Sequence, residues 1–197
     1  MLSTGYSILG EFHHLDGLDR FLTDTPCDVI VSEMRISGND LFESCTEILD
    51  KHSKTKLIVY TYDENPTHIA RASAIDAWDY IPKRYPVQRL VQACESTLSG
   101  QRHPDSLIGT VKQFLTHPHQ LAESIPVSLT RREHQILLHL SLGLSNREIS
   151  RSLKISLETV KEHVQNVLRK LQINDRTAAA IWSLRNGVPT FKFDAPP

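Results

Sequence analysis

Three cysteines in 197 residues are too few and too scattered to form a disulfide scaffold. Cys27, Cys45 and Cys94 are odd in number and have no histidine at metal-ligand spacing, so we interpret them as core thiols and predict neither a disulfide nor a metal site. No stretch approaches the ~18 apolar residues that span a bilayer, and the N-terminus lacks the basic start and apolar run of a signal peptide. We therefore expect a cytoplasmic protein without membrane contact.

The composition lacks the biases of disordered or fibrous chains. Apolar residues make up 40% and charged residues 23%, and both values are typical of soluble globular domains. A chain of this length forms one large domain or two small ones, because globular domains cluster at roughly 100 to 150 residues. Composition alone leaves both arrangements open.

The net charge of −1 conceals a difference between the two parts of the chain. Residues 1–128 carry 17 acidic and 11 basic side chains, a net of −6, whereas residues 129–187 carry 10 basic and 5 acidic ones, a net of +5. A basic surplus favours binding to a polyanion, although solvated basic surfaces are also common. The positions of the basic residues must distinguish these two possibilities.

The first hundred residues alternate between short apolar runs and amphipathic stretches. Short β-rich runs separated by helix-length segments predict parallel strands joined by crossover helices, which is an α/β fold. The runs are residues 6–10, 29–32, 57–61 and 78–81, with a helical segment at 66–75. Two further helical stripes are expected to cover the sheet, one in residues 39–52 and the other formed by Val87, Leu90, Val91, Cys94 and Leu98.

The pattern changes after Gly100, which predicts a domain boundary. A short helix is possible at residues 105–116, and a polar stretch with two prolines follows to residue 128. We therefore predict an α/β domain over residues 1–100, a linker over 101–128, a helical domain over 129–188 and an irregular tail over 189–197.

Two capping boxes mark helix starts in the last third of the chain. Thr130 with Glu133, and Ser145 with Glu148, have the spacing at which a hydroxyl and a carboxylate satisfy each other's backbone donors. The predicted helices are 131–142, 146–153, a longer one to residue 171 after Ser156, and 177–186. The second and third helices are separated by a short turn, which is typical of a helix-turn-helix.

Helical periodicity separates a buried face of the third helix from an exposed one. At ~100° per residue its apolar side chains form one stripe and its polar side chains point away from that stripe. The apolar stripe comprises Val160, Val164, Val167, Leu168 and Leu171, and the polar face comprises Glu158, Lys161, Glu162, Gln165, Asn166 and Arg169.

Four segments carry a resemblance to a known family. Residues 129–133 (LTRRE), 143–149 (GLSNREI), 159–164 (TVKEHV) and 169–171 (RKL) resemble the DNA-binding domain of the LuxR/NarL family, and the match covers residues 129–187 without a gap. The resemblance implies an all-α domain of four helices whose third helix lies in the major groove of double-stranded DNA. A helical bundle with a solvated basic face is the alternative.

The resemblance also assigns roles to individual residues. Lys161, Glu162 and Gln165 match positions that face base edges, where Lys donates to guanine, Gln pairs with adenine and Glu accepts from cytosine. The positions that hold phosphates in relatives are Ser145, Asn146, Thr159, Asn166, Lys170 and Arg176, and Arg169 completes the predicted DNA-binding set.

The last helix matches the one through which relatives dimerise on DNA. Ala178, Ile181 and Trp182 are candidate contacts, and packing within the domain is their competing role. A homodimer predicts an inverted DNA repeat with half-sites about one helical turn apart.

The N-terminal half resembles the receiver domain of two-component response regulators, a flavodoxin-like fold. The matching segments are 10–11 (GE), 28–33 (DVIVSE) and 60–61 (YT), followed by Ala77, Tyr80 and Lys83. Phosphoryl transfer in that family needs an Asp nucleophile, an acid pair that holds Mg²⁺, a Thr or Ser, and a Lys. Here Thr61 and Lys83 are in place, Tyr80 occupies a further switch position, and Glu33 replaces the Asp.

The first strand, its helix and the acid pair are absent when the receiver is aligned without gaps, because residues 6–10 then correspond to the second strand. If residues 6–10 are instead the first strand, Phe12 follows Glu11 and the acid pair is still broken. Either alignment removes a competent Mg²⁺ pocket. We expect four parallel strands, with the gap closed by direct pairing or by a partner chain.

These features predict a DNA-binding transcription regulator whose atypical receiver works without Asp phosphorylation and serves dimerisation or contact with a protein partner. The Glu33–Lys83 pair imitates a phosphorylated Asp or is an ordinary ion pair. A conventional phosphorylation-activated regulator and a module that sequesters another regulator are the alternatives. We predict no enzyme activity and no cofactor, because the sequence contains no nucleophile with a base, no phosphate loop and no metal cluster.

Overall fold

The computed structural model describes residues 5–36, 38–116, 127–186 and 188. They fall into two compact units, of which the first comprises Met1–Asp63 and Ala77–His103 and the second Glu64–Asp76 and Pro104–Pro197. Gly187, the predicted tail 189–197 and residues 117–126 of the predicted linker lie outside the described residues. None of the described helices is both long and apolar enough to cross a membrane.

A parallel sheet forms the centre of the first unit. Its strands are β1 (Val29–Ser32), β4 (Lys56–Thr61) and β5 (Asp79–Pro82), and their spatial order is β1-β4-β5. The strand β5 is buried along its whole length, as expected when both faces of a parallel sheet are covered. Two short strands, β2 (Arg35–Ile36) and β3 (Asn39–Asp40), pair antiparallel with each other in a separate sheet. The α/β class is therefore confirmed.

The prediction of four parallel strands is wrong, because the sheet contains three among the described residues. Residues 6–10 form no strand and are exposed to solvent, with Ile8 92% exposed. This part of the chain makes other contacts instead. Tyr6 is near Glu95, and Phe12 packs edge-on against Phe21 with the ring centroids 5.0 Å apart. Because nothing in the described chain pairs with the outer side of β1, this strand is an edge strand.

Among its described residues the first unit has three helices, namely α1 (Leu18–Asp24), α2 (Leu41–Lys51) and α4 (Val87–Ser99). The helix α4 packs on β4 and β5, and its Ala93 lies in a core cluster with Ile58 and Ile81. The prediction that this helix covers the sheet is confirmed, although only part of its apolar stripe is buried. Leu90 and Cys94 pack against the cluster, but Val87 is 46% and Leu98 66% exposed.

The second unit is entirely helical in its described part. It contains α3 (Pro66–Ala74), α5 (Leu107–Thr116), α6 (Arg131–Ser141), α7 (Asn146–Leu153), α8 (Leu157–Leu171) and α9 (Arg176–Arg185). The four helices predicted in the last third of the chain are confirmed. The helix α5 is more than a linker, because Ile108, Val111 and Leu115 are buried.

Local sequence signals set the ends of these helices. Both predicted capping boxes form, at Thr130 for α6 and at Ser145 for α7. Lys154 ends α7 with a φ of 53°, in the left-handed region that lets the chain reverse direction sharply before α8. Ser156 then caps α8 by accepting a hydrogen bond from the Thr159 backbone N–H.

Candidate nucleic-acid interface

The helix α8 has one buried face and one exposed face, as its periodicity predicts. Val160 and Val167 are fully buried and Leu171 is nearly so, whereas the polar residues on the other side are largely exposed. The helix contacts α6, α7 and α9, which hold its apolar face in the core of the unit. A rigid helix with one solvent-facing polar side has the shape that the major groove of a duplex admits.

The three predicted base-contacting residues share that exposed face. Lys161, Glu162 and Gln165 are exposed, and Gln165 lies four residues after Lys161 and three after Glu162, so it neighbours both on the helix surface. Lys161 Nζ lies 2.8 Å from Glu158 Oε1, one turn before it. Since this ion pair is exposed, it is weak enough to be exchanged for a ligand.

Two of the predicted phosphate-binding hydroxyls also belong to helix caps. The Ser145 hydroxyl donates to Glu148 Oε2 and accepts from the Glu148 backbone N–H. The Thr159 hydroxyl lies 2.8 Å from the Ser156 hydroxyl. Both groups lie at the N-terminal end of a helix, where backbone N–H groups favour anions.

Other predicted phosphate ligands are held by partners inside the unit. Lys170 Nζ lies 2.7 Å from Glu133 Oε2, and the Arg176 guanidinium donates to the Leu144 carbonyl oxygen. Asn166 Oδ1 accepts from the Arg169 guanidinium at 2.9 Å. Asn146 Oδ1 is buried and has no hydrogen-bond partner in the described part of the chain. The roles of these residues toward DNA stay predictions.

A histidine that the sequence reasoning did not single out lies below this surface. His139 is completely buried, with Nδ1 2.6 Å from the Gln135 carbonyl oxygen and Nε2 2.8 Å from the Ser152 hydroxyl. Burial lowers the pKa of its imidazole from 6.5 to about 4. The ring is therefore neutral at neutral pH and links α6 to α7. The i, i+3, i+4 stripe of α6 could have indicated it.

The last helix presents a partly apolar surface. Ile181 is 45% exposed, while Ala178 and Trp182 are half-buried, so all three remain candidates for contact with a second copy. Leu184 is 53% exposed and extends this surface, although the sequence analysis did not include it.

In the receiver-like site of the first unit, Lys83 and Glu33 form an ion pair with each other. The Lys83 ammonium donates to Glu33 Oε1, and this hydrogen bond raises the pKa of Lys83. The same ammonium lies 5.3 Å and 5.1 Å from the ring centroids of Tyr60 and Tyr62. Tyr62 was not predicted to belong to this site, although it directly follows Thr61 at the end of β4.

The other two switch positions are buried. Thr61 is 4% exposed and its hydroxyl accepts from the Asp63 backbone N–H. The Tyr80 hydroxyl donates to the Asp63 carbonyl oxygen at 2.9 Å. Burial, followed by the nearby Asp63 and Glu33 carboxylates, raises the pKa of Tyr80.

Comparison with known proteins gives both units a family. Residues 127–183 match the LuxR family of bacterial regulatory proteins, and residues 2–95 match the response regulator receiver domain. The transcriptional regulatory protein LiaR of Bacillus subtilis is 30% identical over 174 residues, which cover 85% of this chain and 79% of LiaR. The chain belongs to the LuxR-type DNA-binding response regulators.

Two further regulators and one solved structure are also similar to this chain. VraR of Staphylococcus epidermidis is 30% identical to this LuxR-type regulator over 82% of the chain and 76% of VraR. DegU of Brevibacillus brevis is 27% identical over 81% of the chain and 74% of DegU. Among solved structures, the RcsB response regulator of Salmonella typhimurium has a TM-score of 0.49 and 16% identity, with 93% of this chain and 88% of RcsB covered.

Proposed function

We propose that this regulator binds specific sequences in duplex DNA as a homodimer and does so without phosphorylation of its receiver domain. The observation that carries the proposal is the exposed polar face of α8, opposite a seam formed by Val160, Val167 and Leu171. Lys161, Glu162 and Gln165 contact base edges, and the first turns of α7 and α8 bind phosphates.

Electrostatics supports the same surface. Residues 129–187 have a net charge of +5, so phosphate contacts release counterions and binding weakens as salt rises. The acidic Glu158 and Glu162 lie on the same helix as Lys161, and they weaken the attraction of this helix to DNA phosphates. We therefore expect the affinity for DNA of unrelated sequence to be low compared with the affinity for the specific site.

The independence from phosphorylation rests on Glu33. Its carboxylate accepts a hydrogen bond from Lys83, the residue that would otherwise neutralise a phosphoryl group. Glu is one methylene longer than Asp, so its oxygens cannot occupy the position of the Asp nucleophile. In addition, Phe12 follows Glu11, so these two positions supply no acid pair for Mg²⁺. The receiver then contributes contacts to a second copy or to a protein partner.

The proposed domain organisation is a receiver over residues 1–100, a connecting segment over 101–128 and a DNA-binding domain over 129–188. The helix α5, within the connecting segment, contributes buried side chains to the helical unit. We assign Ser145, Asn146, Thr159, Asn166, Lys170 and Arg176 to phosphates and Arg169 to the same surface.

Selection of bound fragments from random duplex DNA tests the proposal. The full-length chain is incubated with the pool without any phosphodonor, and bound DNA is amplified and sequenced. We expect an inverted repeat whose half-sites lie about one helical turn apart. A pool that shows no enriched sequence after several rounds contradicts sequence-specific binding.

A further inference from the structure

A charged side chain from outside residues 129–188 reaches the first turn of α7. Arg71 lies on α3, and its guanidinium donates through Nε to Glu148 Oε1. Both side chains are mostly buried, and α3 and α7 belong to the same unit. A hydrogen bond between two charged groups is stronger and better oriented than one between neutral groups, so this contact fixes the position of the Glu148 carboxylate.

The helix α3 is also held beside α7 by uncharged contacts. Ile69 and Ala72 are fully buried, and α3 packs on α5 and α7. At the start of α3 the Thr67 side chain lies against the turn before α7, since a Cβ placed on Gly143 would be 3.5 Å from the Thr67 methyl carbon. We therefore expect α3 to remain in place when only the charge of Arg71 is removed.

Glu148 connects Arg71 to Ser145, a residue that we assign to a DNA phosphate. Glu148 Oε2 accepts from the Ser145 backbone N–H and from the Ser145 hydroxyl, each at 2.7 Å. Burial acts to raise the pKa of Glu148, but the hydrogen bonds from Arg71 and Ser145 outweigh it, so the pKa is lowered. The carboxylate is therefore charged at neutral pH.

A charged carboxylate at this position opposes the binding of a phosphate. A phosphate oxygen that accepts from the Ser145 hydroxyl would lie ~2.7 Å from it, and therefore within ~5.5 Å of Glu148 Oε2. Like charges at this separation repel each other, and the repulsion is stronger at a protein surface than in bulk water. The hydroxyl also has a single proton, for which Glu148 and the phosphate compete. The first turn of α7 can therefore hold a phosphate only weakly unless the charge of Glu148 is neutralised.

We propose that Arg71 is a positioning residue for DNA binding, whose guanidinium neutralises Glu148 so that Ser145 and the first turn of α7 can bind a phosphate. The inference deepens the proposed DNA binding and rests on it. It assigns part of the DNA affinity to α3, a helix that lies between β4 and β5 in the sequence.

The surroundings of Arg71 favour action through Glu148 over direct contact with DNA. The Arg71 side chain is only 16% exposed, whereas a side chain that binds a phosphate of the duplex must reach the surface. Once Glu148 is neutralised, the exposed Arg147 in the same turn gives the start of α7 a positive charge. This charge adds to the partial positive charge of the backbone N–H groups at a helix N-terminus.

Binding of the full-length chain to a duplex that carries its selected site, followed by fluorescence anisotropy, tests the inference. Arg71→Gln should weaken binding about tenfold at low salt, because the charge of Glu148 is then unopposed. Arg71→Lys keeps the charge and should weaken binding by less than about threefold. Arg20, which is 90% exposed on α1, provides the control Arg20→Gln, which should bind like the wild type. Circular dichroism checks that each variant is folded at the assay temperature.

Two results of this assay contradict the inference. Equal affinity of Arg71→Gln and wild type would mean that neutralisation of Glu148 does not affect the phosphate. Higher affinity of Arg71→Gln would mean that the contact of α3 with α7 restrains binding instead of supporting it.

A double-mutant cycle with Glu148→Gln distinguishes positioning from other roles of Arg71. Gln is compatible with the capping box but carries no charge, so the start of α7 is preserved. In the Glu148→Gln background, Arg71→Gln should change the affinity by no more than about threefold, because no carboxylate remains to be neutralised. An equal loss of affinity in both backgrounds overturns the inference, since Arg71 would then act on DNA directly or through the fold alone.

Salt dependence provides a readout that a purely structural role would not change. The difference in affinity between wild type and Arg71→Gln should shrink from about tenfold to about threefold or less as the ionic strength rises from about 0.05 M to about 0.3 M, because salt screens the charge of Glu148. A difference that stays constant over this range overturns the inference.

The same measurements separate this inference from the proposed function. A wild-type chain that binds its site, together with an Arg71→Gln variant that binds equally well, contradicts only the role of Arg71. A wild-type chain that binds no duplex at low salt contradicts the proposed function and, with it, this inference.

Discussion

The Lys170 ammonium lies 2.7 Å from the Glu133 carboxylate, and this ion pair joins the end of α8 to the capping box at the start of α6. The Glu133 side chain is 6% exposed and also accepts from the Thr130 backbone N–H. Burial acts to raise the pKa of Glu133, but the hydrogen bonds from Lys170 and Thr130 outweigh it, so the pKa is lowered. A residue that the family resemblance assigns to a phosphate therefore also stabilises the domain.

Replacement of Lys170 should cost stability as well as DNA affinity. Lys170→Ala leaves a buried carboxylate with one partner fewer, and we expect the free energy of unfolding to fall by about 1–3 kcal/mol. Urea denaturation measures this loss. The double variant Lys170→Ala/Glu133→Gln should recover part of it, because no unpaired charge remains. If the stability of Lys170→Ala equals that of the wild type, the ion pair with Glu133 does not stabilise the domain, and the role of Lys170 is confined to DNA binding.

Acid should destabilise the helical unit through His139. The pKa of the buried ring is about 4 in the folded chain and 6.5 in a solvated one, so the unfolded chain binds more protons between these values. The part of the free energy of unfolding that is linked to the neutral His139 ring is fully present above pH ~6.5. It is lost as the pH falls toward 4, and the loss is roughly 2–3 kcal/mol. Urea denaturation at pH 7 and at pH 5 tests this window.

The variant His139→Gln serves as the control for this pH dependence. It carries no titrating ring, so its stability should change little between the two pH values even if it is lower throughout. A wild-type protein whose stability is equal at both pH values would contradict the assignment.

A second ion pair should stabilise the same unit. The Arg71 guanidinium donates to Glu148, and the two side chains are 16% and 14% exposed. Arg71→Ala should lower the free energy of unfolding by about 1–3 kcal/mol, since it leaves Glu148 with the Ser145 contacts alone. Arg147→Ala removes an exposed charge from the same helix and should change stability by less than ~0.5 kcal/mol. Equal effects of the two variants would mean that the pair contributes nothing.

The receiver domain should form no phosphate adduct. Incubation with a small phosphodonor and Mg²⁺ should leave the intact mass unchanged, because Glu33 replaces the nucleophile and its carboxylate is held by Lys83. Glu33→Asp should also remain unmodified, since Glu11 is followed by Phe12 and these positions supply no acid pair for Mg²⁺. An adduct on the wild-type chain would refute the proposal of phosphorylation independence.

Much of the second unit could be predicted from the sequence because its signals are local. The capping boxes at Thr130 and Ser145 and the periodicity of α8 depend on residues a few positions apart, and the structure confirms them. The burial of His139 is visible only in part from such spacing, because its partner Ser152 lies on another helix.

The first unit was harder to predict because strand pairing is decided by distant residues. Residues 6–10 have the composition of a strand, but a strand forms only where a neighbour accepts its hydrogen bonds. The stripe on α4 was correctly predicted as helical, yet its exposed half could not be foreseen, since the number of helices on each face of a sheet is a property of the whole fold. The partners of Lys170 and Arg71 lie 37 and 77 residues away and leave no local signal.

The affinity of the full-length chain for its selected DNA site, compared with unrelated duplex over a range of salt concentrations, tests the central claim most directly. We predict binding that weakens steeply with salt, and a Lys161→Ala variant whose preference for the site falls by roughly 1–3 kcal/mol. Lys54→Ala removes the same charge from the other unit and should match the wild type. A wild-type chain that binds no duplex at low salt, or a Lys161→Ala variant with undiminished preference, would contradict DNA recognition by the exposed face of α8.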